Sequence, residues 1–319
     1  MATAIGTSPG STIRVPLVVA GIGLAVAATT VFGGGYFVYV LNLTGIFALV
    51  AIGLALLTGF SGQISLGHAG FFAIGAYASA LFAQRLGLPF WLAIPIAGIV
   101  ATAIGALVAL PALRLKNLYL AIATLGFGIV TQKMIFEWRT MTGGGGGLQV
   151  PPPMLFGVSL AEGARMTGVI AVALAAGTWA AYRLARGRTG RALTMLRESE
   201  TAAACTGIQV ARYKVVAFAV SAFYTAVAGG LYANLVRYIN PESFNVNMSI
   251  MFLAMIVIGG MGSVGGALLG AAFYVIVPEA LRDFKDAPGL IFGLSLMIVV
   301  ILLPGGLASL TRRFSKARA

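Results

Sequence analysis

One cysteine, Cys205, and one histidine, His68, are all that 319 residues offer of the two side chains on which most metal and redox chemistry depends. A lone cysteine excludes an internal disulfide, and a lone histidine excludes a histidine pair for metal binding or catalysis. Cys205 sits in a polar loop among basic residues and reads as an incidental thiol. Acidic residues are almost as scarce, eight Asp and Glu against 21 Lys and Arg, and charged residues make up only 9% of the chain. None of the acids falls in the middle of an apolar stretch. That argues against a proton- or sodium-driven carrier, which usually needs an ionisable group within the membrane. The phosphate-binding pattern GxxxxGK[ST] does not occur, so any ATP hydrolysis must come from another chain. Clustered acids and a nucleophile with its base are missing too, which makes a membrane-embedded enzyme a poor reading.

Apolar residues, by contrast, make up 59% of the chain, and they come in blocks. Val15–Phe32, Val38–Leu57, Ile64–Ala83, Phe90–Leu110 and Leu118–Phe136 occupy the first half. Met166–Ala185, Val215–Val236, a double block from Met248 to Val277, and Leu290–Leu303 occupy the second. A hydrocarbon core roughly 30 Å thick needs about 20 helical residues to cross it, and only closed backbone structures survive there. The expected fold is therefore all-α, a polytopic membrane protein of about ten transmembrane helices forming a single domain over residues 1–319. The count of ten takes the double block as two short spans joined at Gly259–Gly266; eight or nine follow instead if it is one kinked helix or a re-entrant hairpin. The first block, with Arg14 before it and Ala25-Val26-Ala27 near its end, could be a cleaved signal; its length and the blocks that follow favour a retained span.

The net charge of +13 does not mark a nucleic-acid binder, because the basic residues sort by membrane side. With ten spans both termini share one face. That face carries fourteen of the 21 basic residues: Arg14, Arg114, Lys116, seven between Arg183 and Lys214, and four in the tail at 307–319. The excess of Lys and Arg predicts this face, and both termini, to be cytoplasmic.

Two connections are long. The outer one, Glu137–Arg165, contains Gly143–Gly147 and Pro151–Pro153; the expectation is a flexible surface connection, the alternative a contact for something docking from outside. The inner one, 186–214, reads RGRTGRALTMLRESETAAACTGIQVARYK. Arg191–Cys205 is rich in helix formers and Gly207 can stop it, which predicts a short cytoplasmic helix. With Ala202, Ala203 and Ala204 on one side, it suits a groove in a partner protein.

Glu198-x-Glu200-x-Ala-Ala-Ala-x-x-Gly207-Ile208 resembles the coupling-loop signature of ABC importer permeases. The run LTGFSGQISLGHAGFFAIGAYASALF (Leu57–Phe82) is similar to the most distinctive stretch of branched-chain amino-acid permeases of the LivM type. NLYLAIATLGFG (Asn117–Gly128) and IVIGGMGSVGGALLGA (Ile256–Ala271) match the same family in the same order, and the resemblance covers roughly residues 36 to 305. It implies a permease subunit of an ATP-driven importer in a bacterial inner membrane, multi-pass and in contact with lipid. It further implies a second, related permease chain, two cytoplasmic ATPase subunits that bind the ATP, and a periplasmic binding protein. No cofactor of the chain's own and no nucleic acid are expected. The family points to leucine, isoleucine and valine as cargo, with urea, short amides or aromatic acids carried by related permeases. The residues implied in ATPase coupling are Arg197, Glu198, Glu200, Ala203 and Gly207. A passive channel needs the same small-residue helices but no docking loop.

Thr58–Gly70 and Ile258–Gly270 interrupt apolar blocks with glycine, and a shift of 200 superposes Gly59, Gly62 and Gly70 on Gly259, Gly262 and Gly270. Glycine-broken helices in internal repeats point to midplane binding sites, yet both segments lie at inner ends of spans running the same way. Close helix packing is the plain reading and a translocation path the sharper one. Gly62, Gln63, Ser65, Gly67, His68, Tyr119, Thr124 and Gly262 are the path candidates. The cluster Gln63, Ser65 and His68 is expected to place at least one member on a cavity or an inner gate, because an amino acid's charged ends need hydrogen-bonding groups throughout the crossing.

Overall fold

The computed structural model describes residues 35–115, 117–155, 158–160 and 163–281, with 293–294, 296–298, 301–303 and 305–309. The first apolar block, six of the fourteen residues of the last one and the tail beyond residue 309 lie outside the described residues. So does the placement of the N-terminus.

Within this range the chain is helical. Helix α1 (Gly35–Leu54) runs on into a π-helical turn, Ala55–Phe60. It is followed by α2 (His68–Arg85), α3 (Phe90–Ala112), α4 (Asn117–Glu137) and α5 (Gly163–Arg186). After the inner loop come α6 (Arg188–Glu198), α7 (Glu200–Cys205), α8 (Val210–Val236), α9 (Val246–Gly259) and α10 (Val264–Ala280). Five helical stretches among the described residues are long and apolar enough to cross a membrane: Gly35–Phe60, Phe90–Pro111, Leu118–Glu137, Arg165–Arg186 and Val210–Val236. The protein is an all-α polytopic membrane protein.

One expectation needs correction and one block is shifted. The block expected at Ile64–Ala83 is helical from His68 to Arg85, and α2 is less apolar than the five spans. Its residues are mostly buried against other helices, so it has no need of a lipid-compatible surface. The double block is two short helices, as the count of ten spans takes it, 14 and 17 residues long and divided at Gly260–Ser263. At 1.5 Å per residue they reach only about 21 and 26 Å. The outer loop is not a loose connection. Gly144–Gly146 form a 3₁₀ turn, β1 (Leu148–Gln149) pairs antiparallel with β4 (Tyr238–Ile239), and β2 (Met154–Leu155) pairs with β3 (Val158–Ser159). The Tyr238 hydroxyl donates to the Gly146 carbonyl at 2.9 Å, and Arg85 donates to the Thr140 carbonyl at 2.6 Å. Glycine supplies a backbone that folds onto its neighbours, and the pairing cross-links two connections into a cap.

Helix α8 is the hub, packed by α1, α2 and α3, while α1 is packed also by α5, α9 and α10. Lipid tails are as apolar as leucine, so helices associate through close fit rather than through escape from water. Glycine makes that fit here. A Cβ on Gly75 of α2 would overlap the Ala226 backbone of α8, and one on Gly229 would overlap the Phe72 carbonyl. Phe47, Phe72 and Phe252 fill the space between α1, α2 and α9, the Phe47 and Phe252 rings meeting edge-on at 5.7 Å. Outward, α3, α4 and α5 present Ile99, Leu107, Ile122, Val130, Val172 and Trp179.

The two ends of the bundle differ. The cap, Tyr36 with Glu279, and the start of α9 gather at one end. The π turn, the loop 186–214, the joint Gly260–Ser263 and the segment 305–309 gather at the other, where the Leu307 amide donates to the Ile258 carbonyl at 2.8 Å. Connections expected on one face therefore do share one end.

Candidate functional site

The inner loop folds as two helices rather than one. Ser199 breaks them in an extended conformation (φ −161°, ψ 117°) and caps the second, its hydroxyl accepting from the Ala202 amide at 3.2 Å. Leu193 and Leu196 of α6 and Ala203 of α7 bury into a cluster with Leu57, Leu120 and Phe218, which seats the loop on the bundle. The three alanines accordingly do not share a face. Ala203 is buried, while Ala202 and Ala204 point away with Cys205. Helix α7 ends where the sequence indicated. The Gly207 amide donates to Ala204 at 3.0 Å and the Ile208 amide to Ala203 at 3.1 Å, with Gly207 at φ +82°. This pair of bonds is a Schellman stop, and its left-handed residue is the reason for glycine. Ile208 then packs into the same cluster as Ala203.

Two charged contacts tie the loop to the membrane helices. Lys214, in the first turns of α8 and almost wholly buried, pairs with Glu200 of α7 at 2.6 Å, the carboxylate side chain being 43% exposed. Water reaches one partner only, so the pair is a tether whose loss would strand a buried ammonium. The second tether is Arg197, whose Nη1 donates to the Gly59 carbonyl at 2.6 Å. Glu198, by contrast, is exposed at the break.

Between the π turn and α2 the chain is irregular from Gly62 to Gly67, a conformation tolerated at membrane depth only where backbone groups find partners. Neighbours supply them. The Gln63 amide donates to Leu57 at 3.4 Å, and the Thr58 hydroxyl donates to the Gln63 carbonyl at 3.0 Å. The Leu66 amide donates to the Thr124 hydroxyl of α4 at 3.0 Å, and the Ala69 amide to the Ser249 hydroxyl of α9 at 3.0 Å. His68, fully buried, shares a 2.7 Å hydrogen bond between Nε2 and the Ser221 hydroxyl of α8. Gly67 allows α4 to approach, since a Cβ there would stand 2.5 Å from the Thr124 carbonyl.

The path candidates thus separate. Ser65, Gly67, His68 and Thr124 are buried and engaged in packing or hydrogen bonds between helices. Tyr119 is 71% exposed on the far face of α4 from Thr124. Gly62 and Gln63 line a pocket of about 160 Å³, walled also by Leu120, Arg197, Glu200 and Lys214. Gly262 stands against Gly59 and Arg197, and Arg197 also lies against Gly62. Among the described residues no group of His, Cys, Asp and Glu could hold a metal. Sequence reasoning passed over Lys214, Ser199, Ser221 and Ser249. A lysine in the opening turns of an otherwise apolar helix was the one available signal, because such a charge must be exposed or paired.

Residues 36–303 match the family model described as the permease component of branched-chain amino acid transport systems. The chain belongs to this family. It is 38% identical to the high-affinity branched-chain amino acid transport system permease protein LivM of Escherichia coli K12, the match covering 95% of this chain and 77% of that one. Identity to LivM of Salmonella typhimurium is 37%, over 85% and 69%. The high-affinity branched-chain amino acid transport system permease protein LivH of the same organism is 28% identical, over 82% and 90%. No solved structure matches the chain. The permease is a transport subunit rather than an enzyme.

Proposed function

We propose that this permease is the membrane subunit of an ATP-driven importer for branched-chain amino acids, working beside a second, related permease. Two cytoplasmic ATPase subunits bind and hydrolyse the ATP, a periplasmic binding protein delivers the cargo, and the chain needs no cofactor of its own. The membrane is the bacterial inner membrane, with the 186–214 end and both termini in the cytoplasm.

The observation that carries this reading is the build of the inner loop. A surface loop with no task would lie free in solvent. This one is stopped by a Schellman turn, seated by Leu193, Leu196 and Ala203, and tethered twice. The outward side, with Glu198, Ala202, Ala204 and Gly207, remains available to a groove in the ATPase. The chain then converts ATPase closure into movement of helices rather than performing chemistry. A passive channel has no use for such a device.

The test is uptake of labelled leucine, isoleucine and valine by the complete complex in proteoliposomes. Uptake should require binding protein outside and ATP inside, and should stop when ATP is removed. Equal uptake without ATP would establish a facilitator instead.

A further inference from the structure

Arg197 was expected at the ATPase contact, yet its guanidinium turns toward the membrane helices. The carbonyls that end a helix lack intrahelical partners and carry the negative end of its dipole. At the end of α1 the Leu57 and Thr58 carbonyls are taken by the amides of Gln63 and Gly62. The Gly59 carbonyl receives Arg197 Nη1 at 2.6 Å. The same Nη1 lies 3.0 Å from where a Cβ of Gly262 would stand, and a Cβ on Gly59 would stand only 2.4 Å from the Gly262 nitrogen. Beneath, the Arg197 backbone rests on Gly62, 3.4 Å from where its Cβ would be. One side chain of the loop thus sits on both glycine joints, the one that ends α1 and the one that divides α9 from α10. Arg197 also lies two residues before the Ser199 break, with the Glu200–Lys214 tether just beyond it.

We propose that Arg197 is a positioning residue of transport, the link through which displacement of the inner loop moves the α1 end and the α9–α10 joint together. The inference rests on the reading of 186–214 as the ATPase contact and adds a direction of transmission to it. Two helix ends with no side chains between them can slide as a unit only if something grips both. A planar guanidinium with several donors can reach the Gly59 carbonyl while packing flat on the Gly262 backbone. A lysine ammonium can reach the carbonyl alone. Gly59, Gly62 and Gly262 are then required for the seat of this side chain as much as for helix packing.

The experiment uses the complete complex with Arg197→Met and Arg197→Lys, reconstituted with binding protein and labelled leucine. Membrane abundance and co-purification with the ATPase subunits are measured first, then ATP hydrolysis and leucine moved per ATP. Arg197→Met should co-purify with the ATPase and hydrolyse ATP, while leucine moved per ATP falls at least tenfold; Arg197→Lys should fall between. Unchanged leucine per ATP in the Met variant would reduce Arg197 to a static helix cap. Loss of ATPase co-purification in that variant would make Arg197 a docking contact and overturn the proposal. Should Arg197→Met fail to accumulate, Arg197→Lys carries the test, since full leucine per ATP there would show that the second contact is dispensable. Failure of the unaltered chain to bind the ATPase subunits would instead remove the loop's assignment, a different result.

Discussion

Glu200→Gln removes the charge that neutralises Lys214, and the structure allows the effect to be sized. Breaking a fully buried ion pair by deleting one partner costs about 3–5 kcal/mol, because the other charge is left without compensation. Here the ammonium is 5% exposed and the carboxylate 43%, so water solvates one partner in either state and the loss should be smaller, about 1–3 kcal/mol. Lys214→Met keeps most of the buried stem and strands only a half-hydrated carboxylate, so it should cost about 1 kcal/mol or less. The double variant has no stranded charge and should recover to within about 1 kcal/mol of the unsubstituted protein. Unfolding free energies of the four proteins in mixed detergent micelles close the cycle, and the coupling should exceed about 1 kcal/mol. Additive single effects would mean that the two groups do not act as a pair. The account of the loop as doubly tethered would then lose one of its two contacts.

Other outcomes follow from particular contacts. Gly75→Ala should lower thermal stability by about 1–3 kcal/mol, because the new methyl must displace the Ala226 backbone. Gly126→Ala on α4, where nothing lies within 4 Å, should be neutral or slightly stabilising in the same assay. Ser221→Ala should cost about 1 kcal/mol of stability, typical of a hydrogen bond between membrane helices, and leave the KM for leucine unchanged; a shifted KM would return His68 to the path. Gly207→Val should uncouple ATP hydrolysis from uptake with the chain still in the membrane, since a β-branched residue at φ +82° costs at least about 1–2 kcal/mol and unwinds the end of α7. A membrane-impermeant maleimide should label exposed Cys205 only from the cytoplasmic side and a Met154→Cys variant that also carries Cys205→Ser only from the opposite side. The reverse pattern would invert the orientation.

Much of the fold was legible because lipid imposes a coarse code. Block length and apolarity located α1, α3, α4, α5 and α8 within a few residues. The charge bias grouped the connections by end, as the β1–β4 pairing and the Arg197 contact agree. Burial inside the bundle relaxes the rule that a span must look apolar, so α2 carries His68, Ser79 and Gln84, and the start read from the sequence, Ile64, comes four residues early. Likewise α9 and α10 stay short because protein, rather than hydrocarbon, meets their joint. In the site, Gly207 was readable because its role is local backbone geometry. The pairing of Arg197 with Gly59 spans 138 residues, and Lys214 with Glu200 joins two helices across the Gly207 stop, so neither follows from helical periodicity.

The two glycine segments join these observations. Gly59 and Gly259 superpose at an offset of 200 residues, and an internal repeat would explain that spacing. The structure offers a reason that needs no repeat. Each segment ends one helix at the loop-bearing end of the bundle, turns through Gly62 or Gly262 at positive φ, and opens the next helix. Gly59 meets Gly262 where the Arg197 guanidinium reaches both, while Gly62 lies against the Arg197 backbone and stem and Gly259 packs on Gly266 and Gly270. The matching glycines answer to separate local contacts, and no repeat is needed to place them.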